Sequence, residues 1–582
     1  MSNAVGQTMS AEATAESCQV QLCCQQTDRH WRFMLALVAL VAVVFTFFNL
    51  RGYKSFGSHE VYAAIPARGM MESGDWIVPR IGGEPRLRKP PLAYWTVATS
   101  AFVFGELNEW TARVPAALSA LALCVLIGVW ATRWYGRTAG VLAALVQATV
   151  VHAVVFSRKA EVDMLLCLCT TSAMFLIVQQ TPTESPGSRR KRWLGIYVLL
   201  SVAWMAKFYF GAAMVLVPCV VFYVLEKRYR DLWNLANPLG LLCLIAAIVV
   251  WPYLLLQQSS EAWAVWRQQT LGRVVGELGS RPFWYYAPHL FSLTMPWTLF
   301  VMCAIPQSWQ RAWRERNPHE RFLWVWFFCD LAIMSASAGK HQHYLNVCLP
   351  MFSLITGAWL AQTLARTRSE DTLLEKRWRP LWWGTASLTL LGLAIGCSLK
   401  YPHLQTIVCT LCGILAVGCG VLLWLAAANR RWPAGIMLLA LLTTSCLGLC
   451  GWVLPGCDHR AVARDFSQYI RREFLEDREV CAFQMDLTAV EFYVQEPVKR
   501  IETIDALRRY VATHPRAEVV AYQTLEPLFA EFARVRAVHT MPTSNGAAKT
   551  RRPPLVLFEL QAPNAVQPPQ DVLARQNDPN RS

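Results

Sequence analysis

Three clusters of charged and polar residues interrupt a chain that is otherwise mostly apolar. The first is Ser58-His59-Glu60-Val61-Tyr62, followed by Glu72-Ser73-Gly74-Asp75-Trp76, Gly83-Glu84-Pro85 and Arg88-Lys89-Pro90-Pro91. Seven Lys and Arg fall within residues 51–91. The second is Ser157-Arg158-Lys159-Ala160-Glu161-Val162-Asp163, and the third combines Lys207 with Gly339-Lys340-His341-Gln342-His343-Tyr344. Ionisable groups at a membrane are costly, so each is a functional hypothesis by default. A half-buried carboxylate such as Glu60 or Asp163 can have a raised pKa and act as a general base. Lys89, Arg158, Lys207 and Lys340 can hold a phosphate. His341 and His343 can ligate a divalent metal with a carboxylate. Taken singly, blander roles are the commoner ones: Glu60 pairing at a helix start, Lys89 snorkelling, Asp163 in a helix first turn, and histidines in a turn.

One reaction uses the combination. A lipid-linked phosphosugar has its tail in the bilayer, its phosphate at the interface and its sugar in water. Interfacial cations would stabilise charge growing on the departing phosphate. A carboxylate would take the proton from an attacking hydroxyl or amine. A single displacement would invert the anomeric centre, with an acceptor in place of the water of an inverting glycosidase.

The elements that must position these residues are membrane helices. The chain has 582 residues, 54% hydrophobic and 16% charged, which excludes a disordered chain, a disulfide-stapled secreted domain and an ordinary soluble enzyme. The net charge of +16 reads as cytoplasmic anchoring loops and not as nucleic-acid binding. With a span needing roughly 20 apolar residues, the candidates are 33–50, 112–132, 138–155, 164–179, 194–210, 211–226, 238–256, 288–305, 321–338, 344–363, 381–399, 405–427 and 433–455, thirteen in all. The first is a signal anchor behind a cytoplasmic tail, residues 1–32. With the N-terminus inside, basic residues such as Arg133 and Arg137, the Arg189-Arg190-Lys191-Arg192 run, and Arg430 and Arg431 fall on inner segments. An odd span count puts the C-terminus outside.

The expected architecture is therefore a polytopic α-helical membrane protein, its transmembrane domain at 33–455. Outer loop 51–111 holds two interfacial helices, Val61–Met71 and Leu92–Phe104, and outer loop 257–287 follows later. Residues 456–562 alternate in a way that predicts a small soluble α/β domain: helices near Ala461–Phe474, Ile504–Ala512 and Leu525–Phe532, and strands near Val480–Phe483, Glu518–Tyr522 and Leu555–Leu560. Cys457 and Cys481 both lie in it and can pair. The tail 563–582 has the composition of a disordered segment.

The ordered motifs from residue 33 to about 365 resemble the GT-C membrane glycosyltransferases that use polyprenyl-phosphate sugars, in particular the group of the lipid A aminoarabinose transferases and protein O-mannosyltransferases. The resemblance rests on the acidic motif before Tyr62-Ala63, Ser73-Gly74-Asp75-Trp76 with Pro79, Gly83-Glu84-Pro85 through Lys89-Pro90-Pro91 to Tyr94-Trp95, Arg113 with Pro115-Ala116, Arg158 to Asp163, Lys207, Pro282-Phe283-Trp284-Tyr285-Tyr286, Pro296-Trp297, and Gly339-Lys340 with Tyr344. It implies a GT-C fold in the plasma membrane, with a polyprenyl-phosphate sugar as donor and a lipid, glycan or protein as outer-face acceptor. It also implies a first outer-loop acid as the base or metal-side residue, a second acid at Asp163, and Lys89, Lys207 and Lys340 near the lipid phosphate, with Arg158 and Tyr344 beside them. His59, His341 and His343 are candidates for a metal or acceptor contact. The chain departs from the group at two places. Ser58 and His59 stand where an Asp-Glu pair is usual, so either Glu60 substitutes from a shifted position or Asp163 carries more of the role. Lys207-Phe208-Tyr209 replaces Lys-Gly-Pro.

A transporter or lipid flippase is the rival from another class, and it would place ionisable residues near mid-span. A noncatalytic membrane scaffold whose soluble domain binds a partner is the third.

Overall fold

The computed structural model describes residues 33–81, 83–179, 183–272, 279–365, 398–399, 401–428, 431–458, 461–473, 480–484, 492–494, 499–514, 516–540 and 554–562. The expected tails 1–32 and 563–582 lie outside these residues, as does nearly all of the expected span 381–399.

The chain is dominated by helices, built where apolar runs are bounded by caps. Helix α1 is Phe33–Phe47 and α2 is Ser58–Ser73. Helix α3 spans Leu92–Phe104, so helices do form where two interfacial ones were expected in the first outer loop. Helix α4, Glu109–Tyr135, starts at Asn108, whose side chain accepts from the N–H groups of Trp110 and Thr111. Helices α5 (Arg137–Thr149), α6 (Val151–Ser157), α7 (Asp163–Val178), α8 (Pro186–Lys207), α9 (Tyr209–Leu225) and α10 (Pro238–Gln258) follow. Beyond the short α11 (Ala262–Arg267) come α12 (Tyr286–Leu293), α13 (Thr298–Trp313), α14 (Pro318–Ala336), α15 (Pro350–Ala365), α16 (Gln405–Ala427) and α17 (Arg431–Gly448). Small residues let the bundle close: a Cβ on Gly357 of α15 would lie 2.6 Å from Ala143 of α5.

The structure does not return thirteen separate spans. Four helices among the described residues are long and apolar enough to cross a membrane, or six if each of two bent pairs forms one span. The expected span 138–155 breaks at Val150, between α5 and α6, with a bend of 56°. The expected span 288–305 is two helices, α12 and α13, bent by 112°. The break holds Pro296, which has no N–H to give a helix ladder. The two bends brace each other: the Val151 N–H donates to the Met295 carbonyl at 2.8 Å, and the Trp297 indole donates to Thr149 Oγ1 at 2.8 Å.

The loop between α2 and α3 owes its shape to its turn residues. Gly74 ends α2 in the left-handed region, φ 72°, where a side chain would be strained. Asp75 Oδ1 then accepts the N–H groups of Ile77 and Val78. Strands β1 (Arg80–Ile81) and β2 (Glu84–Pro85) form a tight hairpin. Two indoles pin the loop to α10 and α11: Trp251 donates to the Ile77 carbonyl and Trp266 to the Leu87 carbonyl. Lys89 is thereby held on a fixed loop.

In the C-terminal part, helices α18 (Ala461–Glu473) and α19 (Ile504–Thr513) accompany a five-stranded sheet. Its strands are β3 (Val480–Phe483), β4 (Lys499–Ile501), β5 (Ala517–Tyr522), β6 (Arg534–Thr540) and β7 (Leu555–Gln561), in the order β4-β3-β5-β7-β6. The pairs β3–β4 and β3–β5 are parallel, whereas β5–β7 and β6–β7 are antiparallel. Strands β4 and β6 were not among those read from the sequence: β4 has three residues, and β6 alternates exposed and half-buried positions without an apolar run. Cys457 and Cys481, whose pairing the sequence leaves open, are not joined in a disulfide. They belong to separate apolar clusters, Cys457 against Leu404 and Cys481 within the sheet.

Candidate active site

Four segments meet at one end of the bundle. Asp163 is the first residue of α7 and Lys207 the last of α8. The Lys207 ammonium donates to Asp163 Oδ1 at 2.5 Å. It also lies 5.0 Å from the ring centre of Tyr344 and 5.8 Å from that of Phe210, a cation–π setting that desolvation strengthens. From the loop between α2 and α3, Lys89 comes within electrostatic range of Lys207, Asp163, Glu161 and Arg86. His59 faces Lys89, Lys159 and Asp163. His343 stacks on His341, with ring centres 5.3 Å apart, and senses Lys207, Asp163 and Lys89.

The electrostatics follow from this crowding. Burial, and then the neighbouring Asp163 carboxylate, push Glu161 up to about 7. Its Oε1 lies 4.0 Å from the Lys159 ammonium, which pulls the other way. Burial and then Lys207 press Lys89 below the ordinary lysine range. Burial and then the same ammonium drive His343 well below the ordinary imidazole range. Desolvation, and then Lys89 and Lys159, lower His59. The site thus combines ammonium groups, two carboxylates of unequal basicity and neutral imidazoles.

Of the expected site residues, the structure brings together Asp163, Lys89, Lys207, Tyr344, His59, His341 and His343. It directs the charged atoms of three others elsewhere. Glu60 is 6% exposed. Its Oε1 accepts from Arg113 Nε at 2.8 Å and from the Ala160 N–H at 3.1 Å, and its Oε2 accepts the Gly57 N–H at 2.9 Å. Arg113 is fully buried and also donates to the Leu50 and Lys54 carbonyls. Glu60 thus pairs with Arg113 while Asp163 pairs with Lys207, and Glu60 holds the turn 158–163 through Ala160. Arg158 donates to the carbonyls of Phe45 and Phe48 at 2.9 and 2.7 Å, closing the carboxyl end of α1. Lys340 donates to the Ser337 and Arg281 carbonyls at 2.6 and 3.3 Å and ties the segment before α12 to the turn before Tyr344. Buried backbone acceptors at helix ends need such donors.

Glu161, Lys159 and Arg86 join the cluster without having been assigned a role from the sequence. Their signal was proximity to Asp163 and Lys89 in the chain. The altered residue Phe208 adopts φ 50°, a backbone position that suits glycine. Its ring packs against Trp266 and Trp251, with centres 5.6 and 6.4 Å away. Among the described residues no three His, Cys, Asp or Glu side chains are arranged to hold a metal ion, and Asp163 already faces an ammonium.

A family model for dolichyl-phosphate-mannose-protein mannosyltransferases matches residues 88–255. The chain is 29% identical over 384 residues to an undecaprenyl phosphate-alpha-4-amino-4-deoxy-L-arabinose arabinosyl transferase of Pseudomonas paraeruginosa, covering 64% of this chain and 66% of that one. It is 25% identical to the transferase of the same name from Yersinia pestis, over 72% of this chain and 76% of the relative. Against the first relatives it matches, the chain spans 61–66% of their length. The crystal structure of ArnT from Cupriavidus metallidurans bound to undecaprenyl phosphate superposes with a TM-score of 0.73 at 19% identity, covering 92% of this chain and 99% of that one. The chain is thus similar over about two thirds of its length to undecaprenyl-phosphate aminoarabinose transferases, and it shares the fold of the ArnT structure over nearly all of it.

Proposed function

We propose that the chain is an inverting glycosyltransferase that moves a sugar from a polyprenyl phosphate to an acceptor on the outer face of the plasma membrane. The observation that carries this reading is the Lys207–Asp163 contact at 2.5 Å, with Lys89, Lys159 and Glu161 gathered around it at the end of an apolar bundle. The relatives named for undecaprenyl-phosphate aminoarabinose transfer, and an ArnT crystallised with undecaprenyl phosphate, support it. The acceptor class is a lipid, glycan or protein carrying a free hydroxyl or amine.

In this reading Lys89 and Lys207 hold the donor phosphate, with Lys159 and the Tyr344 ring at its edge. The acceptor hydroxyl or amine attacks the anomeric carbon. The bond from that carbon to the phosphate oxygen breaks, and polyprenyl phosphate leaves with its charge on the lysines. The Asp163–Glu161 pair receives the acceptor proton, Glu161 having the basicity near neutrality that a general base needs. Glu60 and Arg113 position the turn that bears both acids.

The orientation follows from charge: the N-terminus inside, and the site end, the first outer loop and residues 456–562 outside. On this topology the C-terminal sheet is a soluble domain at the outer face. Asp163 and Lys207 sit at helix ends and not along a path between them, so transport is not favoured.

The test is turnover. Protein reconstituted with a panel of polyprenyl-phosphate sugars and envelope lipid acceptors is expected to release polyprenyl phosphate and form a glycosylated product by mass spectrometry, and Asp163→Asn to abolish both. Passage of labelled donor lipid across vesicles, without consumption of any sugar donor, would overturn it.

A further inference from the structure

The C-terminal part of the chain reaches back to the segment just before α2. Three consecutive backbone N–H groups before Glu60 each donate to a different side chain. Ser55 donates to Asp458 Oδ2 at 2.6 Å, Phe56 to the Tyr493 hydroxyl at 2.9 Å, and Gly57 to Glu60 Oε2 at 2.9 Å. The Tyr493 hydroxyl also bonds to the Glu109 carboxylate in the first turn of α4, the helix that carries Arg113. The Phe56 ring lies between two partners, Phe492 at 4.7 Å between ring centres and the Arg113 guanidinium at 5.0 Å. Arg68 of α2 closes the contact: its guanidinium stands 4.8 Å over the Phe492 ring and donates to the Phe492 carbonyl at 2.9 Å.

Beyond Phe56 the contacts run on without a gap. Arg113 holds Glu60, and Glu60 accepts the Ala160 N–H. Ala160 precedes Glu161 and lies three residues before Asp163. Most of this path is closed to water: Phe56 and Glu60 are buried, as are Arg113 and Tyr493. Buried polar networks that are fully paired fix geometry tightly, because each unmade bond exposes a desolvated group.

We propose that Phe492 and Tyr493 are positioning residues for the transfer reaction, setting the height of the 158–163 turn through Phe56, Arg113 and Glu60. The C-terminal part is then a working component of the site, though neither residue touches substrate. This inference rests on the function proposed above, and its physical core can be read without turnover.

The experiment uses the full chain in detergent or nanodiscs, with two variants that keep ring or bulk, Tyr493→Phe and Phe492→Leu, and Arg536→Ala on an exposed strand as control. Hydrogen exchange is followed by mass spectrometry, and turnover is measured with undecaprenyl phosphate-linked 4-amino-4-deoxy-L-arabinose and envelope lipid acceptors. Both variants are expected to speed exchange of amides in 158–163 about tenfold. They are also expected to lower kcat about tenfold with the donor KM unchanged and the neutral-range pH limb displaced. Arg536→Ala should change none of these. Faster exchange confined to residues 55–57, with 158–163 and kcat as in the parent, would overturn the proposal. If the parent protein consumes no donor, the assigned reaction falls, while the exchange of 158–163 still decides the coupling.

Discussion

At the residue scale, the two acids nearest the sequence motifs have different surroundings and should fail differently. Asp163 faces Lys207 at the open end of the bundle. Asp163→Asn is expected to lower kcat at least about a hundredfold, the usual weight of acid–base help, with the fold intact by thermal melting. Glu60 neutralises a fully buried arginine. Glu60→Gln leaves that guanidinium without its counter-charge and should cost about 3–5 kcal/mol of stability, seen as a marked drop in melting temperature. Melting unchanged in Glu60→Gln, with turnover lost, would make Glu60 the base after all.

Glu161 sets a pH dependence. Its carboxyl is raised to about 7, and only its ionised form can take a proton. Activity should therefore fall as the pH drops through about 7, and Glu161→Gln should remove that limb. The sign for stability is opposite: the folded chain binds this proton more tightly than the unfolded one, so its stabilising share is lost as pH rises from the ordinary carboxylate value, about 4.3, towards 7. A profile flat from pH 5 to 8 in the parent protein would remove Glu161 from the mechanism.

At the element scale, the junction of α8 and α9 decides where Lys207 points. Phe208 holds φ 50°, which costs about 1 kcal/mol or more for a residue with a Cβ, and its ring is half-buried among Trp204, Trp251 and Trp266. Phe208→Gly relieves the backbone but removes a ring whose full burial would be worth about 3–5 kcal/mol. Packing should win, leaving the variant about 1 kcal/mol less stable by chemical denaturation; a more stable variant would mean that strain dominates the junction. Helix positions were legible from the length of the apolar runs, as for 112–132 and 321–338, where α4 and α14 form. The bends at Val150 and around Pro296 were not: both runs keep their apolar character through the break, and only the neighbouring helix supplies the bonds that hold it.

At the scale of the whole molecule, contacts of Ser55 and Phe56 with Asp458 and Tyr493 place the C-terminal part at the same end as the candidate site. With the proposed orientation, a cysteine at Arg536→Cys, whose native side chain is 81% exposed, should react with a membrane-impermeant maleimide in spheroplasts above the labelling of the parent chain. Labelling only after lysis would invert the topology and remove the outer-face acceptor.

What the sequence determined by itself was the class of molecule and the inventory of its chemistry. Apolar runs, the basic segments between them and an ordered set of polar motifs are local properties, and each can be read within a few tens of residues. The motif glycines and Asp75 likewise mark a fixed loop, because turn geometry is set by neighbours in the chain. What only the tertiary structure decided was which charge faces which. Lys207 and Asp163 are 44 residues apart and Arg113 and Glu60 are 53 apart, and nothing local distinguishes a cation that meets a carboxylate from one, like Arg158 or Lys340, that closes a helix end or ties two loops. That choice is made by desolvation: each buried charge or carbonyl takes the partner that packing brings within reach, and packing is a property of the whole bundle.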